Sequence, residues 1–324
     1  MTTNRANAIC LLEIMKEYSD ANHILRMQDL IAKMKSIYAI DVDRRTVYSA
    51  IDLLKTLGYD ISGYSENGVG YYLLDRPLEV AEVRLLMDSV YSNPAISVSQ
   101  TEKLIEKLQR LLNVHYRKTY RSLTAVKTDK KTTNQETFLN IEVLDEAIQQ
   151  KKKVRFIYLE YDFDKLLKPR REKKYTVNPY QMICTNEHYY LVCKMMPTSK
   201  ITLYRIDMMR DVTISDYSID APLTEAEMQT AKDKTIYAWY SDPETVTMRC
   251  KNFVLRDVID KFGQDVLVKK ENEETFLATI RVAPNGVHFW ALQYLPYVEI
   301  LSPQWLRDSI IDSIKRSPYC EVKP

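Results

Sequence analysis

Arg44, Arg45, Thr46, Tyr48 and Ser49 fall within six residues, directly after Asp43 and at the start of a regularly spaced apolar run. These side chains suit the edges of a nucleic-acid duplex: arginine meets guanine bidentately, and the hydroxyls reach phosphates or base edges. A second set is spread further along the chain. Tyr158, Tyr175, Tyr189 and Tyr190 offer ring faces, and Arg205 follows Tyr204. Lys168, Arg170 and Arg171 stand in KLLKPRREKK (165–174), which has six Lys/Arg and one Glu. Rings for stacking beside positive charge for phosphates make up the recipe for single-stranded nucleic acid. The plain alternative, tyrosines packed in a core beside a solvated basic loop, stays open at this level.

Catalytic chemistry has no comparable constellation. His23, His115, His188 and His288 lie in four separate regions, and no Ser/His/Asp or Cys/His grouping can be argued. The six glycines form neither a G-x-G-x-x-G nor a phosphate loop. Five cysteines (Cys10, Cys184, Cys193, Cys250, Cys320) are odd in number and never in a C-x-x-C arrangement, against both a disulfide framework and a zinc site. Cys184 and Cys193 read as small buried hydrophobes on neighbouring strands. The expectation is a binding protein, not an enzyme, with no cofactor and no metal.

The elements that must position these residues follow from periodicity. The chain has 324 residues, 45% of them apolar and 28% charged, the composition of a soluble globular protein of two or three domains. It contains no apolar run of ~18 residues, and MTTNRANAIC lacks a secretory apolar stretch, so a cytoplasmic protein with no membrane contact is expected. Net charge is +2, yet residues 1–76 hold nine Lys/Arg against ten Asp/Glu. Duplex binding therefore rests on where particular charges fall.

Residues 1–76 read as three helices and a hairpin. Ile9, Leu12, Met15 and Tyr18 share helical spacing, as do Met27, Leu30, Ile31, Met34 and Tyr38. In the third helix Asp43 is placed to cap the first turn, Val47, Ile51, Leu54 and Leu57 form the apolar stripe, and Gly58 suits the stop. YDISGY and GYYLL read as strands joined by SENGVG, with Asn67-Gly68 as the turn signal. This is the order of a winged helix-turn-helix, whose second helix of the pair enters the major groove by its N-terminal residues. The wing, Tyr64 to Gly70, carries Glu66 and is better suited to backbone contact. Residues 77–140 read as a helical linker, whose first helix buries Leu78, Leu85, Leu86 and Val90 and whose second buries Leu104, Ile105, Leu108, Leu111 and Leu112. A basic segment, HYRKTYRSLTAVKTDKK (115–131), follows as a solvated linker or a phosphate-contacting arm.

Residues 141–220 open with a helix and continue as short strands rich in Val, Ile, Tyr and Thr, joined by polar turns such as Asn186-Glu187; they read as a small antiparallel barrel. Phe156-Ile157-Tyr158, Val177-Asn178-Pro179, Tyr189-Tyr190-Leu191 and Tyr204-Arg205-Ile206-Asp207 together resemble the WYL domain. Tyr189 replaces the tryptophan of the signature tripeptide, and Tyr175 and Met208 stand where the family often has arginine. The resemblance, extended by the preceding helices, implies a WYL-type transcriptional regulator whose Sm-like, SH3-type β-barrel senses a nucleic acid fragment or nucleotide. Arg205 becomes the strongest single ligand candidate. Residues 240–324 read as β-α-β-β-α-β plus a final helix near Pro303, the order of a ferredoxin-like fold, and resemble the WCX extension of the same regulators. Phe289, Trp290 and Trp305 suit an interface or, for most of them, core packing.

The fold class expected is thus α+β and multidomain. The function expected is a ligand-responsive, homodimeric DNA-binding regulator acting on a duplex operator, with a single-stranded nucleic acid or nucleotide effector. The alternatives are an accessory protein of a nucleic acid defence system that binds single-stranded RNA or DNA, and a small-molecule sensor.

Overall fold

The computed structural model describes residues 2–74, 76–119, 130–185, 187–195, 200–224, 227 and 243–319. Residues 120–129 of the basic segment and Asn186 of the expected turn lie outside them. The chain is mixed α and β and divides into two compact units, Met1–Lys131 and Thr132–Pro324.

The first unit begins with α1 (Thr2–Tyr18), α2 (Met27–Tyr38) and α3 (Arg44–Thr56). Their buried faces supply one core: Leu11, Leu12, Ile14 and Met15 from α1, Leu30 and Met34 from α2, and Val47, Ala50, Ile51 and Leu54 from α3. Three residues of the expected stripes are exposed, Ile9 at 64%, Tyr38 at 39% and Leu57 at 65%. The buried face of α1 is centred on Leu11 and Met15, which turns Ile9 outward. Leu57 lies past the end of α3, where Gly58 takes the left-handed φ of 93° that a side chain resists.

Strands β1 (Ile61–Ser62) and β2 (Tyr72–Leu73) pair antiparallel, Ile61 opposite Leu73. They are shorter than expected, and the Asn67-Gly68 turn is replaced by a helical turn, α4 (Tyr64–Asn67). Asn67 ends that turn: its Oδ1 accepts the Val69 and Gly70 N–H groups at 2.8 and 2.9 Å, with Gly68 left-handed. A side chain amide so used competes with the tight hairpin turn. The loop is tied to the helices by a backbone bridge, Leu25 and Tyr71 exchanging N–H···O bonds of 3.0 and 2.8 Å. Gly70 makes this approach possible, because a Cβ there would lie 2.2 Å from the Leu25 carbonyl oxygen.

Next come α5 (Val80–Ser92), α6 (Val98–Gln109) and α7 (Val114–Thr119). The α5–α6 core is Val83, Met87, Ile105 and Leu112. Leu85 (69%) and Leu86 (42%) are exposed, contrary to expectation, because the inward stripe of α5 runs through Val83, Met87 and Val90. Leu111 also faces solvent. Lys131 closes the unit by donating to the carbonyls of Val90 (3.2 Å) and Asn93 (2.9 Å), which lie at the end of α5.

The second unit starts with α8 (Thr137–Gln149), then β3 (Lys152–Tyr161), β4 (Leu167–Pro169), β5 (Tyr175–Thr185), β6 (His188–Lys194), β7 (Ile201–Arg205) and β8 (Met209–Ser218). The sheet order is β4-β3-β5-β6-β7, with β8 also on β3, all antiparallel. The β3–β8 ladder shifts register twice, which curls the sheet. Its inner face and α8 enclose Leu144, Val154, Phe156, Val177, Leu191 and Ile206. Cys193 is buried on β6 as expected, whereas Cys184, on the outer side near the end of β5, is exposed.

The remaining elements are β9 (Glu244–Lys251), α9 (Leu255–Phe262), β10 (Leu267–Lys270), β11 (Thr275–Val282), α10 (Pro284–Gln293), β12 (Val298–Ser302) and α11 (Gln304–Lys315). Their sheet is antiparallel in the order β10-β11-β9-β12. Trp290 is buried at its core, while Phe289 and Trp305 are exposed. Among the described residues no helix is long and apolar enough to cross a membrane.

Candidate nucleic-acid interface

The N-terminus of α3 is built by its cap. Asp43 is extended (φ −93°, ψ 171°) and its Oδ1 accepts the Thr46 N–H at 2.8 Å. Hydrogen bonds from Thr46 hold the Asp43 carboxyl below its ordinary value of 3.8. Thr46 is thereby committed to the cap and is half-buried, so its hydroxyl serves the helix before any outside partner. Val47, Ala50, Ile51 and Leu54 anchor the opposite face. That anchoring leaves Arg44, Arg45, Tyr48 and Ser49 exposed together on the first turns. Tyr48 stands with its ring edge-on to Tyr71, 6.3 Å between centroids. Burial, then a bond to the Tyr48 hydroxyl, pushes the Tyr71 phenol up to about 12.

The second candidate site divides. Tyr158, Tyr175 and Tyr204 converge with Phe156 in one aromatic cluster: Phe156 stacks on Tyr175 at 5.6 Å, and Tyr204 meets Tyr158 edge-on at 4.9 Å. Tyr175 and Tyr190 are buried and Tyr189 is partly exposed. Arg171 lies over the Tyr175 face, its guanidinium carbon 3.4 Å from the centroid, and also donates to the Lys173 carbonyl. Lys168 and Arg170 lie apart on the β3–β4 hairpin, beside Asp162 (2.5 Å) and Glu160 (3.6 Å).

Arg205 sits at the end of β7, and its backbone N–H donates to the Tyr158 hydroxyl at 3.3 Å. Its side chain forms a fork on Asp207, Nε to Oδ1 at 3.2 Å and Nη2 to Oδ2 at 2.6 Å. Asp207 is fully buried, while the Arg205 side chain keeps 30% of its surface. Burial lowers the Arg205 pKa, but the Asp207 bond and charge outweigh it and raise the net value. His188, on the neighbouring strand, places Nδ1 3.8 Å from Asp207 Oδ2, buried and without a hydrogen-bond partner. Burial first, then the Arg205 charge, hold this imidazole below 6.5 despite the pull of Asp207.

The turn carrying Asp207 is fixed from the α8 side. Asn134 donates to the Asp207 and Met209 carbonyls (2.9 and 2.7 Å), and Asn140 donates to Met209 (2.9 Å). Sequence reasoning singled out Arg205 but not His188, Asn134 and Asn140, which the structure places around its turn. The two asparagines had a faint signal, as polar residues placed near or within an apolar helix stripe. Among the described residues no group of three or more His, Cys, Asp or Glu side chains could hold a metal ion.

The curled antiparallel sheet with its fixed Arg-x-Asp turn and tyrosine cluster lies in the part of the chain that matches the WYL domain. The chain carries a WYL domain over residues 140–214, followed by a WCX domain over residues 242–317. Among solved structures it is similar to proteasome accessory factor B/C of Arthrobacter aurescens, at 14% identity over 98% of this chain and 49% of that one, with a TM-score of 0.28. It is also similar to a CRISPR Cas-related protein, at 15% identity over 99% of this chain and 86% of the other, TM-score 0.40. The chain thus spans about half the length of the first of these structures. No curated protein matches it.

Proposed function

We propose that the chain is a DNA-binding transcriptional regulator whose WYL domain senses a nucleic acid ligand. In this reading the first three helices with β1 and β2 act as a winged helix-turn-helix, β3 to β8 as an Sm-like barrel, and β9 to β12 with their helices as a ferredoxin-like extension. The protein is a binder rather than a catalyst and works as a homodimer on a two-fold operator.

The observation that carries the reading is the capped start of α3. Arg44, Arg45, Tyr48 and Ser49 are exposed there on a helix whose other face is locked in the core. Positively charged forks at a helix N-terminus, with hydroxyls beside them, suit base edges and phosphates of a major groove. The slight acidity of the first 76 residues makes that placement decisive, since bulk attraction contributes nothing.

The test is duplex binding by the full chain and by its Arg44→Ala/Arg45→Ala variant between 50 and 200 mM salt, concentrations at which phosphate contacts dominate the slope. Loss of two contacts lowers the slope of log affinity against log salt by about 1.8. An unchanged slope and affinity would remove α3 from the interface.

A further inference from the structure

The β3–β4 hairpin ends in an ordered but uncovered tip. Asp162 and Leu166 bond backbone to backbone at 3.0 Å, Lys165 N–H donates to the Asp162 carbonyl at 3.0 Å, and Asp162 Oδ1 accepts the Leu166 N–H at 2.8 Å. Lys168 holds the same carboxylate. Lys165 takes a left-handed φ of 63° to close the turn. On this braced loop Phe163 is fully exposed (107%), and Tyr161 is half exposed (50%). A ring held out by a hydrogen-bonded turn has no packing role in its own fold.

From the tip the chain returns through Lys168 and Arg170 to Arg171. That residue covers Tyr175, which meets Tyr158 edge-on at 6.1 Å, and Tyr158 receives the Arg205 N–H. Along the chain, cations and rings therefore follow one another from Phe163 to Tyr175, and contacts continue from there to Tyr158 and the Arg205 N–H. Residues 160–174 hold six Lys/Arg against four acids (Glu160, Asp162, Asp164 and Glu172), a net of +2, and Asp162 is spent on building the turn. The seven residues from Lys165 to Arg171, with β4 (Leu167–Pro169) at their centre, reach at most about 20 Å over six steps. That is room for roughly six nucleotides at a stacked spacing near 3.4 Å.

We propose that the hairpin tip is a second contact point for the WYL ligand. Phe163 and Tyr161 stack on bases, and Lys165, Lys168 and Arg170 meet phosphates. The ligand is then a single-stranded oligonucleotide long enough to reach both tip and Arg205, not a mononucleotide. This inference rests on the reading that the Arg205 cluster takes nucleic acid.

The experiment is equilibrium binding of a labelled mixed-sequence single-stranded 10-mer and of a dinucleotide to the full chain. The variants are Phe163→Ala, Phe163→Tyr and Tyr161→Ala. Because Phe163 is fully exposed, its replacement is expected to leave the fold intact. The 10-mer binds the wild-type chain more tightly than the dinucleotide does. Phe163→Ala weakens the 10-mer about tenfold, the scale of one lost base stack, Phe163→Tyr retains it, and dinucleotide affinity does not move. Equal affinity for both lengths, or a Phe163→Ala variant that holds the 10-mer as the wild type does, overturns the tip while leaving the Arg205 reading standing. A tip serving a protein partner gives that second result. A wild-type chain that binds neither strand sinks the sensor reading and the tip together.

Discussion

Arg205 and Asp207, two residues apart, form a two-point ion pair in which the carboxylate is fully buried and the guanidinium still reaches solvent. The Arg205 cation is thus already engaged by an internal counter-ion. Removing the cation alone leaves a buried charge. Arg205→Ala is expected to cost about 3–5 kcal/mol. The double variant Arg205→Gln/Asp207→Asn, in which no charge is stranded, recovers more than half of that loss in urea unfolding. Equal losses in the two variants would mean that the pair adds nothing beyond its volume. The double variant is also the proper reagent for asking whether Arg205 holds a ligand.

Acid should weaken this region through His188. Its folded pKa lies below 6.5, so the unfolded chain takes up a proton that the folded chain refuses. Its contribution is complete above about pH 6.5 and is lost as pH falls through that value toward the folded pKa, at no more than ~1.4 kcal/mol per pH unit for one proton. Thermal unfolding at pH 7.5 and 5.5 reads this directly. His188→Gln should show a smaller drop than the wild type, the residual slope including His288, whose pKa burial also lowers.

Asn134 is expected to act at a distance in sequence. Asn134→Ala leaves the Asp207 and Met209 carbonyls short of a donor in a buried site, a loss of about 2 kcal/mol. Amide exchange should accelerate in residues 205–209 and leave β9 to β12 unchanged. Exchange that rises evenly through both sheets would point to global loosening instead.

Gly70→Ala is expected to cost about 2 kcal/mol or more, the scale of overpacking against atoms that cannot move aside. The obstacle is the Leu25 carbonyl itself. A variant with the wild-type urea midpoint would show that the loop can lift from α1 and α2 freely.

The sequence made α3 readable because its evidence is local. Asp43 caps three residues ahead, and Val47, Ile51 and Leu54 repeat at helical spacing within eight residues. The phase of α5 was not readable, since Leu85 and Val83 are equally apolar and only tertiary packing chooses between them. Arg205 was visible through its motif. Its setting was not: His188 arrives from β6 and Asn134 from 71 residues upstream of Arg205, and both depend on long-range register. The expected hairpin turn failed for a local reason, Asn67 spending its side chain on the loop backbone.

The Leu25–Tyr71 bridge ties the loop that follows α3 to the segment between α1 and α2. That loop and the helices therefore share one frame and cannot reorient separately. A duplex seated on α3, as proposed, would meet a gauge of fixed width. Any mismatch between groove and protein would then have to be absorbed by bending or twisting the DNA, so that in this reading the choice of operator becomes partly a choice of how easily a sequence deforms.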